Sequence, residues 1–205
     1  MTLVELLKDD RYQVAALVTT ITEGYDRISM HGVRRVLLER QAAALGVLLS
    51  TVTIPMNASN TDYESRMEAM FSHYRREGVT AVAFGDLFLA DIRRYREAWL
   101  DRIGMRPIFP LWHRQTPALA RSFIENGFEA VLTCVDGRTL DRSFSGRRFD
   151  HQLLQDLPAT VDPCGENGEF HTFVFGGPLF RDEVHFVLGE VVHRDAWYFC
   201  DLVPA

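Results

Sequence analysis

The residues best placed to do chemistry lie in one short stretch, Cys164–Thr172, reading CGENGEFHT. Gly165 and Gly168 flank Glu166 and Asn167, and Glu169 follows. Glycines let a backbone approach a ligand closely and present its amide N–H groups. Glu166 and Glu169 add two carboxylates three residues apart. Such a pair can bind Mg2+, hold an amine or deprotonate one. The plainer reading is a glycine turn carrying two surface glutamates. Function is favoured because Phe170 and Phe173 bring the same segment against an apolar core. Cys164 reads as a small buried residue, since no activating partner is evident.

A second group of candidates sits where apolar runs end. Ligands of open parallel sheets bind beyond the carboxyl ends of the strands. That rule selects Thr19 and Thr20, Met56 and Asn57, and Gly85-Asp86. A carboxylate such as Asp86, after a glycine at a strand end, can hold a metal-bound phosphate or orient a nucleophile. It can equally be a helix N-cap. The loop Glu23–Gly32, EGYDRISMHG, is too long for a simple turn, and long loops at the ligand end are often functional. Met30 and His31 could line a purine pocket there; the structural alternative for His31 stays open.

The elements that must hold these residues follow from periodicity. VAALVTT (14–20), VLLSTVTI (47–54) and TAVAFGDL (80–87) are strand-length runs rich in β-branched residues. Helical patterns separate them. Val33, Val36, Leu37 and Ala44 share one face, and Tyr63, Met67, Met70, Phe71 and Tyr74 another. Thr61 with Glu64 reads as a capping box. A polar helix over 90–103 stops at Gly104. RPIFPLW (106–112) reads as extended, and a helix begins at Thr116-Pro117. AVLTCV (130–135) is a buried-type strand. After Asp136 come an arginine-bearing loop, a short helix over 150–157 and the glycine motif. The tail alternates like antiparallel strands that turn near His193–Asp195. Alternating strands and helices predict an α/β fold with a parallel sheet covered on both faces. The expected division is a nucleotide-type domain over 1–104 and a smaller α+β domain over 105–205.

Composition narrows the function class. The chain has 205 residues, 47% hydrophobic and 24% charged, with formal charge −6. A chain of this length buries ~70% of its unfolded surface and needs no staples. Nothing resembles a basic nucleic-acid footprint. The densest basic stretch, Arg138–Arg148, is interrupted by acids and reads as a solvated loop, although one arginine could serve an anion. Cys134, Cys164 and Cys200 are odd in number and widely spaced, against a disulfide framework or zinc site. They suit a reducing cytoplasm. No apolar run approaches the ~20 residues of a membrane span. A homo-oligomer is allowed but not specified.

The stretches EGYDRISMHGV, AVAFGDLFLADIRRYRE, PLW and CGENGEFHTFVFGGPLF together resemble the diphthine–ammonia ligase family of the PP-loop ATP pyrophosphatases. The last stretch carries the likeness most specifically, through Gly165, Glu166, Gly168, Glu169, Phe170 and Thr172. The pattern is similar to the bacterial branch, whose acyl substrate is not established. The resemblance implies a HUP-like (Rossmann-like) nucleotide domain and ATP-dependent amide synthesis. A carboxylate, small or protein-borne, would attack the α-phosphorus of ATP, and ammonia would then displace AMP. It implies ATP and Mg2+, with adenine against Thr19, Thr20, Met30 and His31. Gly85 and Asp86 would face the phosphate or metal region. Glu166 and Glu169, with Gly165, Asn167, Gly168 and Thr172, would face the acyl substrate or ammonia. The family's opening strand and S-G-G-K-D-S loop, which holds phosphates at a helix N-terminus, do not occur in this sequence. Removing such a central strand would forfeit ~10 kcal/mol of apolar burial, comparable with a net stability of about 5–15 kcal/mol. The expectation is therefore a polypeptide that begins upstream. The alternative is a short nucleotide-binding or regulatory form without catalysis.

Overall fold

A computed structural model describes residues 1–205 and shows an α/β chain with parallel strand pairs followed by an antiparallel sheet. The first part runs α1 (Thr2–Leu7), β1 (Leu17–Thr22), β2 (Arg27–Ile28), α2 (Arg35–Leu45), β3 (Leu49–Ile54), α3 (Asn60–Arg76), β4 (Ala81–Ala83), α4 (Ala90–Arg102) and β5 (Arg106–Ile108). The second runs α5 (Thr116–Glu125), β6 (Glu129–Asp136), a 3-10 turn (Arg142–Phe144), α6 (His151–Asp156), β7 (Phe170–Gly176), β8 (Phe186–Arg194) and β9 (Trp197–Pro204).

Local chemistry explains where the helices begin and end. α2 stops at Gly46, which takes the left-handed conformation (φ 66°) that glycine adopts without strain. The capping box of α3 lies two residues earlier than the spacing predicts. Ser59 accepts from the Asp62 amide at 3.1 Å while Asp62 accepts from the Ser59 amide. Glu64, the expected partner, instead accepts from Tyr95 Oη and Arg102. Asp150 caps α6 through the Leu153 amide. On α2, Leu37, Leu38 and Ala42 face inward, whereas Val36 is exposed.

The parallel strands do not form one sheet. β1 pairs with β3 in parallel, and β4 pairs with β5 in parallel, as two separate ladders. Both join one apolar cluster in which Val52 of β3 meets Met67 and Phe71 of α3 and Trp99 and Leu100 of α4, and against which Val18 and Val82 pack. The single sheet expected from the alternation is therefore divided into a β2-β1-β3 ladder and a β4-β5 ladder. Since β5 bonds to β4, the parallel region continues past Gly104. The segment Glu23–Gly32 is a tight β1–β2 hairpin followed by a turn, with positive φ at Asp26 and Met30.

The antiparallel sheet has the order β7-β6-β9-β8. β6 is buried along nearly its whole length. One cluster on this sheet contains Leu132, Val135, Leu140, Leu153 and Phe170; the other contains Val33, Leu37, Val131, Phe173 and Leu202. The second cluster joins α2 to the sheet, so the two parts share a core. A small third cluster of Leu87, Leu111 and Leu119 lies where β4, the linker and α5 meet, and Met1 and Cys164 pack on it.

Candidate functional site

The glycine motif is a turn built by its own carboxylates. The Asp162 carboxylate accepts from the amides of Cys164 and Glu166, at 3.2 and 2.9 Å. Glu169 is buried, and its carboxylate accepts from the Asp162 amide (2.9 Å), the Asn167 amide (3.0 Å) and Asn167 Nδ2 (2.9 Å). Gly165 and Gly168 have φ of 68° and 85°, which side chains rarely adopt. A Cβ at Gly165 would also come 2.8 Å from the Phe170 carbonyl oxygen. Gly165, Asn167 and Gly168 thus shape the turn, and Glu169 holds it together from inside. Glu169, expected to face the acyl substrate or ammonia, is buried with its carboxylate accepting from within the turn.

Glu166 points the other way. Its Oε1 accepts from the Leu87 amide at 2.6 Å and the Phe88 amide at 3.3 Å, in the segment that joins β4 to α4. Half-burial raises its pKa, the two amides oppose that rise, and the charges of Asp86 and Asp162 add to it. The turn and this segment therefore form one constellation of Gly85, Asp86, the Leu87 and Phe88 amides, and Glu166. The apolar junction of Leu87, Leu111 and Leu119 lies beneath, and the linker is tied in where the His113 amide donates to the Leu87 carbonyl.

Asp86 is not a helix cap, since Leu89 occupies that position for α4. Its carboxylate is ion-paired with Arg96, Nε to Oδ2 at 2.7 Å, and accepts from Arg96 Nη2 at 3.2 Å. The closer contact is misaligned as a hydrogen bond, leaving both Oδ2 and Nε buried without a directed partner. Arg96 also lies 4.3 Å over the Phe84 ring. Arg96 has no helical or strand relation to Asp86, and no spacing in the sequence marks the pair. No group of three or more His, Cys, Asp or Glu gathers into a metal-holding cluster. The donor set suits Mg2+ only in the way that ion is often bound, through one or two carboxylates with the remaining positions filled by phosphate oxygens and water.

The remaining candidates lie elsewhere. Thr19 and Thr20 are in β1, opposite Thr51 and Val52, and the Thr20 carbonyl accepts from the Ser29 amide. Met30 is exposed, with a φ of 64°. His31 faces the antiparallel sheet: Nδ1 lies 3.3 Å from the Thr172 carbonyl oxygen, and its ring is 4.6 Å from that of His171. His171 in turn stacks on Trp197. Burial lowers the pKa of both imidazoles, that of His171 to about 4. His31 and Thr172 thus join the β1–β2 segment to β7. Arg27 and Arg34 strengthen this joint through Asp201, with contacts of 2.8 and 2.6 Å.

The side chains set aside in the sequence reading have internal partners. Cys164 donates its thiol to the Thr116 carbonyl, and burial pushes its pKa up to about 12. Within the basic stretch, Arg138 pairs with Asp136, Arg147 with Asp156 and Arg148 with Glu129. No helix is long and apolar enough to cross a membrane.

Comparison with known proteins finds similarity over both parts of the chain. A family model described as the diphthamide synthase C-terminal domain matches residues 115–203. The diphthine–ammonia ligase of Homo sapiens is 26% identical over 181 residues, covering 85% of this chain and 67% of the human protein. That of Danio rerio is 29% identical over 158 residues, covering 71% of the chain and 61% of the fish protein. That of Schizosaccharomyces pombe is 28% identical over 128 residues, covering 60% of the chain and 21% of the yeast protein. The chain is thus similar to diphthine–ammonia ligases along most of its length, and its second part matches the diphthamide synthase C-terminal domain.

Proposed function

We propose that this protein is an ATP-dependent, AMP-forming ligase that activates a carboxylate and transfers ammonia to it. The observation carrying this reading is the Glu166 carboxylate held against the Leu87 and Phe88 amides beside Asp86. In the proposed reaction a substrate carboxylate oxygen attacks the α-phosphorus of ATP and pyrophosphate leaves. Ammonia then attacks the acyl carbon, AMP leaves, and the nitrogen gives up a proton. A half-buried glutamate with a raised pKa is suited to take that proton, because catalytic bases work best when their pKa approaches the operating pH. Asp86 would face the phosphates and any Mg2+ they carry, with Arg96 orienting it. Met30, exposed on its turn beyond β1, would meet the adenine.

A second reading is nucleotide binding without turnover. The observation behind it is the scarcity of lysine for phosphate, the chain's other fixed cations being arginines. Lys8 is the single lysine, and it pairs with Glu5 at 3.1 Å. Product analysis separates the two. The protein is incubated with ATP, Mg2+, ammonium and a panel of carboxylates, and nucleotides are resolved by chromatography. Ligation gives AMP and pyrophosphate together. ATP binding by calorimetry with no AMP under any carboxylate favours the second reading, and ADP with phosphate rules out the first.

A further inference from the structure

β8 is an edge strand that lacks most of the usual guards. It pairs on one side only, with β9, from Phe186↔Pro204 to Arg194↔Trp197. None of its nine residues is buried, and Val187, Leu188 and Val192 are 55%, 55% and 39% exposed. Edge strands are commonly blunted by lysine, proline, bulges or covering loops. β8 has no lysine or proline. Its protection is a bulge between Leu188 and Val191 and one side-chain contact, from Arg142 Nη2 to the Val191 carbonyl at 3.2 Å.

Charge on the strand selects the occupant. Glu190, Val192 and Arg194 alternate along it, and Glu190 and Arg194 are exposed with no ion pair within the chain. Arg194 only lies over the Tyr25 ring, at 5.7 Å. A two-fold axis through an antiparallel pair of identical strands sets one residue opposite itself. With the axis at Val192, Val192 faces Val192, and Glu190 faces Arg194 of the second copy twice over. With the axis at Glu190, like charges oppose each other, which destabilises a sheet. With the axis at Leu188, Glu190 faces Phe186 and its charge goes unmatched.

We propose that β8 is a self-association surface. Two copies pair β8 against β8 in antiparallel register centred on Val192, with reciprocal Glu190–Arg194 ion pairs, and the Arg142 contact to Val191 gives way to the partner strand. The pairing makes one continuous eight-stranded sheet from two four-stranded ones and removes both exposed β8 edges.

The test is mass in solution by light scattering and sedimentation equilibrium across the micromolar range. Wild type should have twice the 23.4 kDa mass of one chain. E190R and R194E should each shift to the single-chain mass, and the double variant E190R/R194E should return to the dimer mass. V192K, which sets two ammonium groups against each other, should also be monomeric. All these side chains are exposed, and circular dichroism with thermal melting verifies that each variant folds. Wild type at the single-chain mass throughout overturns the proposal. So does a dimer that survives the single swaps and V192K, or one that the double swap fails to restore.

Discussion

Glu166 Oε1 lies 2.6 Å from the Leu87 amide nitrogen, joining two residues 79 positions apart. This bond closes the glycine turn onto the segment that joins β4 to α4. Glu166→Gln keeps an oxygen for the amides but removes the charge and the base. It should melt within a few degrees of wild type while ligation falls by about 10²–10⁴-fold, the usual contribution of a positioned acid or base. Glu166→Ala should lose the same activity and also about 1–2 kcal/mol of stability, because two half-buried amides lose their acceptor. Parallel turnover and denaturant titrations would show this. Full activity in Glu166→Gln would remove Glu166 from the chemistry.

Glu169 should behave in the opposite way. Its carboxylate is buried and accepts three N–H groups of its own turn. Glu169→Ala leaves those donors unmatched and should cost about 3 kcal/mol or more. Urea denaturation measures that loss. Any activity loss should follow the unfolded fraction and recover on cooling. A Glu169→Ala protein as stable as wild type would contradict the structural role.

The His31–His171 contact should make the protein sensitive to mild acid. Burial and its neighbour hold His171 near a pKa of about 4 in the fold, against 6.5 for the free side chain. The unfolded chain therefore binds the proton more readily. The associated stability is fully present above pH 6.5 and is lost as pH falls toward 4. The loss is on the order of 2–3 kcal/mol. His171→Phe should flatten this part of the profile in denaturation at pH 7 and pH 4.5. An unchanged pH slope in that variant would exclude His171 as its source.

Asp201 ties the β1–β2 segment to β9 by accepting from both Arg34 and Arg27. The Arg34 hydrogen bond, with Arg27 adding to it, holds its pKa well below the usual carboxylate range. Asp201→Asn should cost about 1–3 kcal/mol, as for a hydrogen bond to a charged group. Amide exchange should quicken in 23–34 while β6 stays protected. Exchange that quickens uniformly would mean global destabilisation instead of a released joint.

Much of the fold was legible because periodicity and turn residues act locally. The buried run of β6, the helix stop at Gly46 and the β8–β9 turn at Asp195 could be read directly. The break between the β1–β3 and β4–β5 ladders could not, because alternation of strands and helices does not specify which strands touch. The site was half legible. Glycine spacing located the turn, but Glu166 and Glu169 are the same residue type three positions apart with opposite fates. Their difference arises from the reversal at Gly168 and from acceptors needed by Asp162 and Asn167. The Asp86–Arg96 pair and the docking of His31 on Thr172 depend on tertiary placement alone.

The most direct test of the ligase reading follows oxygen from the substrate into AMP. A carboxylate that elicits AMP release is labelled with ¹⁸O, incubated with ATP, Mg2+ and ammonium, and the AMP is examined by mass spectrometry. Attack of the carboxylate on the α-phosphorus followed by aminolysis must leave one labelled oxygen on the AMP phosphate. Unlabelled AMP, or label found in inorganic phosphate with ADP as the nucleotide product, would contradict the account.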